Sequence, residues 1–234
     1  IDKKVLEAMR KSAHWKHDKF ENISITTMDV NLRSMPGLIK ERFQGRKLRD
    51  PQQVLPVIPF DAEYFKKGEL PKFIWYGHSV LLLQLNHINI LIDPMFGTDA
   101  SPVGPLRTPR FSKNTLEIIG NLPPIDAVLL THDHYDHLDF LSMEILKSKV
   151  GTFFVPLGAG RHLKRWGISG ESINEFDWWQ EYNLFGLNFV FTPSRHFSGR
   201  GPFDRSKSLW GGWVIRSEQH KVYWSGDGGY DAHF

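Results

Sequence analysis

The chain has no cysteine. That rules out disulfides, a thiol nucleophile and thiolate metal ligands, and leaves His, Asp and Glu as the side chains able to hold a transition metal. Long apolar runs are missing too. Val80-Leu81-Leu82-Leu83 is one of the longest, far short of the roughly 20 residues a membrane-spanning helix needs, so a soluble or peripheral protein is expected. There is no internal repeat and no low-complexity segment. The sequence begins at Ile1 rather than Met, which leaves the native N-terminus, any signal peptide and the compartment open.

What is present reads as globular: 234 residues, 41% hydrophobic and 13% aromatic, suffice for one large domain or two small ones. Charge is unevenly placed. Residues 1–50 carry twelve Lys or Arg against seven Asp or Glu, a surplus above the net +3 of the whole chain. The expected organisation is a basic N-terminal segment over 1–50 and a folded domain over 51–234. The segment reads as a basic helix followed by loosely organised chain, with a helical patch over 36–43 and no clear core signal. Such a segment suits a solvated arm or peripheral contact with an anionic membrane surface. Nucleic acid is the less favoured partner.

In "KFIWYGHSVLLLQLNHINILIDP" two β-rich runs flank Asn86-His87, the pattern of a buried hairpin whose second strand ends at Asp93-Pro94. A Gly/Pro/Ser-rich stretch from Phe96 to Pro109 follows, and loops of that length are often functional. Ala127 to Thr131 reads as the next strand, and "LDFLSMEILKSK" as a helix with Asp139 as N-cap. "GLNFVFTPSRHFSGR", "SLWGGWVIR" and "KVYWSGDGGY" then give strands that close on polar or glycine-rich residues. The order is β-rich, mixed, then β-rich again, which favours a layered α/β sandwich with helices outside over a doubly wound parallel sheet.

Between the third of these strands and its helix lies "THDHYDHLD", with three histidines and three aspartates in nine positions. On an extended or loop backbone, side chains at i and i+2 share a side, so His132 and His134 converge on one point and Asp136 and His137 reach a neighbouring one. Neutral imidazoles and carboxylates suit zinc, and also iron or manganese, and a catalytic ion needs about three protein ligands with a position left for water. His196 and Asp227, each where a strand end meets a loop, are the candidates to complete the set, Asp227 as a carboxylate able to bridge both ions. His78, Arg200 and Trp210 are candidate pocket residues. Trp75, Phe96, Trp178 and Trp179 read as core or rim aromatics.

"THDHYDHLD" resembles the HxHxDH signature of the metallo-β-lactamase superfamily. "GHSVLLLQ", "DPMFG", "ASPVGP", "PPIDAVLLTHDHYDHLD", "VPLG", "DWW", "HFSGR" and "LWGGW" together resemble its N-acyl-phosphatidylethanolamine phospholipase D branch and bacterial relatives, over about residues 70–234. The resemblance implies an αββα sandwich, two mixed β-sheets with helices on their outer faces. It implies His132, His134 and His196 on one metal, Asp136 and His137 on the other, and Asp227 bridging. It also implies a final histidine ligand some tens of residues beyond Asp227, hence past Phe234, so the domain is expected to lack its C-terminal part and the second metal one ligand. His233 is too close to Asp227 to serve as the substitute.

The expected function is a metal-dependent hydrolase with two divalent ions, zinc first and Mn or Fe as alternatives. A hydroxide activated between the ions attacks the substrate, oriented by Asp136 as the catalytic carboxylate. The resemblance favours a phosphodiester such as an N-acyl-phosphatidylethanolamine-type phospholipid, with Arg200 on a phosphate oxygen, His78 in the substrate pocket, and the 96–109 loop and "HFSGR" as walls. Two alternatives stand beside it: a lactonase of the ascorbate-6-phosphate lactonase type, and a non-catalytic relative that binds metal or nucleic acid.

Overall fold

Asn86 and His87 both have positive φ, 50° and 63°, the conformation a two-residue turn needs to match the twist of the strands it joins. They close a hairpin between β4 (Leu81–Leu85) and β5 (Ile88–Ile92), with Leu85 opposite Ile88 and Leu81 opposite Ile92. The expected first run is itself divided: β3 (Lys72–Trp75) precedes β4 and a turn at Gly77-His78 separates them. The computed structural model describes residues 3–27, 33–44, 50–101 and 107–233.

Its other strands are β1 (Trp15–Lys16), β2 (Lys19–Phe20), β6 (Ile125–Leu129), β7 (Val150–Pro156), β8 (Ile173–Phe176), β9 (Glu181–Leu184), β10 (Leu187–Thr192), β11 (Gly212–Arg216) and β12 (Lys221–Trp224). The α-helices are α1 (Lys3–Lys11), α2 (Met35–Gln44), α3 (Ala62–Lys66), α4 (Thr115–Asn121), α5 (Phe140–Leu146) and α6 (Gly160–Arg165). One sheet runs β3-β4-β5-β6-β7-β8, the other β12-β11-β10-β9. The first is mixed, because β3, β4 and β5 pair antiparallel while β5 to β8 pair parallel. The second was expected to be mixed as well. It is antiparallel throughout, because short turns join β9 to β10 and β11 to β12.

The alternation along each strand divides the interior into two cores. Leu81, Leu83, Ile90, Ile92, Ala127, Leu129 and Phe154 face the second sheet and meet Phe189, Phe191, Trp213 and Ile215. Leu82, Leu91, Val128, Phe153 and Val155 face the other way, against Phe65 of α3, Ile119 of α4, Met143 and Leu146 of α5, and Leu163 of α6. Being covered on both faces, β4 to β7 read as continuous apolar runs rather than alternating ones.

Residues 1–50 carried no clear core signal in sequence. Yet Met9 and Phe20 are buried in the core between the sheets, where each contributes about 1.5–3 kcal/mol of burial. The Phe20 amide also donates to Ser206 O at 2.8 Å. This N-terminal stretch packs on the loop that follows β10 and so bears on the site.

Candidate metal centre

The site forms where the C-terminal ends of β5 and β6 meet the loops after β10 and β12. Asp93 follows β5 with φ 43° and is completely buried. Its carboxylate accepts from Thr131 N and Thr131 Oγ1, both at 2.7 Å, and lies 2.9 Å from His137 Nδ1. A metal-ligating histidine needs its second ring nitrogen engaged in this way, which fixes the tautomer and aims the free nitrogen. Thr131 Oγ1, its proton committed to Asp93, stands 3.0 Å from His132 Nδ1 and accepts from it. One buried carboxylate thus orients two imidazoles.

His132, His134 and His196 form one group of potential ligands, and His78, Asp136, His137 and Asp227 form another; within each group the donor atoms lie within 4.8 Å of one another. In the first, His132 Nε2 is 2.9 Å and His196 Nε2 3.3 Å from His134 Nδ1. In the second, His78 Nε2 is 3.1 Å from Asp136 Oδ2, and His137 Nε2 is 3.2 Å from Asp227 Oδ2. The rings of His132 and His137 are 4.0 Å apart, so the two groups adjoin.

Electrostatics separates the groups. Burial, and then the neighbouring imidazoles, pull His132 well below the ordinary histidine value; burial and His134 bring His196 down to about 4. These rings are neutral at physiological pH, as ligands must be. His137 behaves oppositely. Burial pulls its pKa down, but the Asp93 charge, the Asp93 hydrogen bond and the nearby Asp227 carboxylate outweigh it and push it up to about 10. For Asp136, burial raises the pKa, but the His78 hydrogen bond and the His137 charge outweigh it and hold it at about 2. His137 Nε2 is buried, and although Asp227 is within ion-pair distance it makes no aligned hydrogen bond. A converging nitrogen without an aligned partner, beside two carboxylates, fits a cation better than it fits a closed network.

His78, expected as a pocket residue, joins the second group. It stands on a turn where Gly77 (φ 91°) and His78 (φ 46°) are both left-handed, and its neighbour Ser79 donates from Oγ to Asp136 O at 3.1 Å. A non-glycine residue held there stores backbone strain, a feature that gathers at functional sites. His233 belongs to neither group. Gly226 places Asp227: its φ is 59°, and a Cβ there would come 2.9 Å from the Thr131 side chain, so the loop after β12 closes onto Thr131 only with glycine.

Arg200 and Trp210 were the other two candidate pocket residues. Arg200, expected to hold a substrate oxygen, donates from Nη1 to Asp133 O at 2.8 Å and Leu138 O at 2.6 Å, and its guanidinium lies 3.8 Å over the Tyr135 ring. It braces the metal loop. Trp210 does line the cavity beside His196; it is largely buried, with Nε1 shared between Asn22 Oδ1 and Ser194 O, both at 3.0 Å. Of the expected walls, His196 and Phe197 line a cavity of about 940 Å³, with Lys16, Lys19, Arg195 and Arg205. In the 96–109 loop, Asp99 bridges to Pro109 and binds Arg107; residues 102–106 lie outside the described residues.

Asp133 had no assigned role. Its buried carboxylate accepts from Gly199 N at 2.7 Å and Ser208 Oγ at 2.5 Å, and faces His162 Nε2 at 3.2 Å. Burial alone would raise its pKa, but these hydrogen bonds and the Arg161 charge hold it far below the usual carboxylate range. The i, i+2 alternation that sends His132 and His134 one way sends Asp133 the other, so its separate role was readable.

The beta-lactamase superfamily domain family matches residues 88–233. An uncharacterized protein of Mycobacterium tuberculosis is 36% identical over 180 residues, 76% of this chain and 48% of that protein. The N-acyl-phosphatidylethanolamine-hydrolyzing phospholipase D 1 of Caenorhabditis elegans is 28% identical over 185 residues, 75% of this chain and 52% of that one. The chain therefore spans about half the length of these relatives. Among solved structures, the metallo hydrolase Igni18 of Ignicoccus hospitalis matches with TM-score 0.53 and 25% identity over 68% of this chain and 62% of its own. CmlA, a diiron β-hydroxylase of Streptomyces venezuelae, matches with TM-score 0.50 and 25% identity over 69% of this chain and 30% of its own. With its family match spanning the strands and loops that carry all but one of the clustered donors, the chain belongs to the beta-lactamase superfamily.

Proposed function

We propose that the protein is a metal-dependent hydrolase of phosphodiesters, with lipid phosphodiesters as its substrate class. The observation that carries this reading is the pairing of two adjoining donor groups, one of three imidazoles and one of two imidazoles and two carboxylates, all without thiolate. That donor chemistry fits zinc in the first group and zinc, manganese or iron in the second. The two groups would hold divalent cations, which when bound would make a water acidic enough to deprotonate near neutral pH and would offset the charge that develops on the substrate.

The chain's own residues do the rest. Asp136 is ionised and partly exposed, placed to orient the attacking water and take its proton. His78, 3.1 Å from Asp136 and half exposed, faces the same space and is placed to hold the Asp136 carboxylate toward it. Asp93 and Thr131 hold His137 and His132 in their tautomers. The cavity beside His196, with basic and apolar walls, gives room for an anionic, partly apolar substrate, and the likeness to the phospholipase of C. elegans supports a lipid within that class. No helix among the described residues is long and apolar enough to cross a membrane, so a lipid substrate would be met at a surface, where the basic residues before position 50 favour an anionic one.

Element analysis of the purified protein, followed by assay of soluble phosphodiesters, phospholipid vesicles and lactones with and without chelator, tests the reading. Chelator-sensitive cleavage of diesters, faster on anionic vesicles at low salt, is the expected result. Efficient lactone opening with diesters untouched would replace the phosphodiester by a cyclic ester. Tight metal uptake without any turnover would reduce the protein to a binding relative.

A further inference from the structure

We infer that Asn22 is a positioning residue for His196, supplied by an N-terminal stretch outside the matched region 88–233. The inference rests on the reading that His132, His134 and His196 hold a cation. His196 is not in a strand; β10 ends at Thr192 and the ring is carried on the loop beyond it. A ligand on a loop is only as well placed as the backbone beneath it. Here both backbone polar groups of His196 are taken by one side chain: Asn22 Nδ2 donates to His196 O at 2.9 Å, and Asn22 Oδ1 accepts from His196 N at 3.1 Å. The amide serves His196 as a neighbouring β-strand would, and the two bonds together fix which end of the amide carries nitrogen.

Asn22 is itself held. Its Oδ1 also accepts from the buried Trp210 Nε1 at 3.0 Å, and Phe20, two residues earlier, is locked in the core and to Ser206 O. Two residues later, Ser24 Oγ donates to Asp231 Oδ1 at 2.6 Å. Lys207 Nζ donates to Asp18 O. The chain from 18 to 24 is thus tied to the loops after β10 and β12, and Asn22 transmits that attachment to the first donor group. The other two histidines of the group sit on the loop after β6, in the opposite sheet, so their distance from His196 depends on how the loop after β10 is set. Asn22 sets it from outside both sheets.

Cobalt(II) alone is the probe, titrated into the chelator-treated full chain and read by absorbance and calorimetry. Each variant is made in a His137→Ala background, where the first group is the complete one, and in a His132→Ala background, where the second is. Asn22→Leu, close in size but without hydrogen bonds, is expected to weaken cobalt binding at the first group by about 10–100-fold, the usual cost of removing a partner behind a ligand. Binding at the second group should stay within about threefold of its parent. In the metal-free protein, hydrogen exchange at the His196 amide should accelerate in Asn22→Leu while amides of β6 keep their protection. Equal weakening of both groups would mean general loosening and overturn the inference, as would unchanged binding with an unprotected His196 amide in the wild type. If the wild type binds no cobalt, the metal reading itself falls and the inference with it.

Discussion

The two donor groups share a boundary at the rings of His132 and His137, 4.0 Å apart, but they are built on different principles. The His132/His134/His196 group draws three neutral imidazoles from loops of two sheets, and burial keeps them free of protons. The His78/Asp136/His137/Asp227 group has two carboxylates and a His137 that the neighbouring charges keep protonated in the absence of metal. The first is therefore ready to bind a cation and depends on geometry for its strength; the second must exchange a proton for the cation and depends on charge. Binding and chemistry should separate along this line. The imidazole group fixes an ion, while the carboxylate group, which is the more exposed, meets the substrate.

Ligand deletion makes the sharpest test. His132→Ala should lose the first cation outright, by at least about 100-fold in affinity, since deleting a ligand exceeds the cost of deleting its partner. Asp136→Asn should leave that cation in place and lower turnover by about 10²–10⁴-fold, the range for losing a positioned general base. Metal content by element analysis and steady-state rates on the same preparations decide it. Parallel loss of metal and turnover in Asp136→Asn would erase the distinction between a holding group and a reacting one.

A smaller effect is expected at Asp93, which serves both groups unequally. It faces His137 directly but reaches His132 only through Thr131 Oγ1. Asp93→Asn should therefore weaken the second cation by about 10–100-fold and the first by less, and Thr131→Val should reverse the order. Cobalt titrations resolved at each group check this. If both variants hit both groups alike, Asp93 and Thr131 act as one rigid unit and the comparison loses its structural basis.

How much of this was readable from sequence depended on whether partners are local. The loop from Thr131 to Asp139 was legible because alternation within nine residues fixes which side chains can meet, and the structure brings together each clustered donor it suggested. His196 and Asp227 were legible as polar residues just past apolar strands. The β4–β5 hairpin and the α5 N-cap, where Asp139 accepts from Ser142 N at 2.9 Å, were equally local. Asn22 was opaque: an isolated amide 174 residues from its partner, with no periodicity to announce it. Met9 and Phe20 were opaque for a related reason, since single apolar residues in a basic stretch give no pattern until a core closes over them. Arg200 was legible only as a charge: the sequence does not show that its Nη1 ties two carbonyls of the metal loop beneath an aromatic ring.

The mildest test uses protons alone, because the two groups should bend the stability of the metal-free protein in opposite directions. An unperturbed histidine titrates near about 6.5, and His196 is held at about 4 in the fold. Between those values the unfolded chain binds more protons, so the stability contributed by the neutral first group is complete above about 6.5 and is lost as pH falls toward 4. His137 is pushed up to about 10. Between about 6.5 and 10 the folded chain binds more protons, so this contribution is complete below about 6.5 and is lost as pH rises toward 10. Melting of chelator-treated protein across this range should show a loss on both flanks. His196→Gln should lessen the acid flank, to which His132 and His134 also contribute, and His137→Gln should flatten the alkaline one. The same difference governs cation uptake. Near pH 8, filling the second group should release about one proton and filling the first close to none, which calorimetry in buffers of different ionisation enthalpy measures directly. An alkaline flank that survives His137→Gln, together with equal proton release at the two groups, would show that the Asp93 and Asp227 charges do not hold the proton on His137, and the contrast between a geometric and an electrostatic site would collapse.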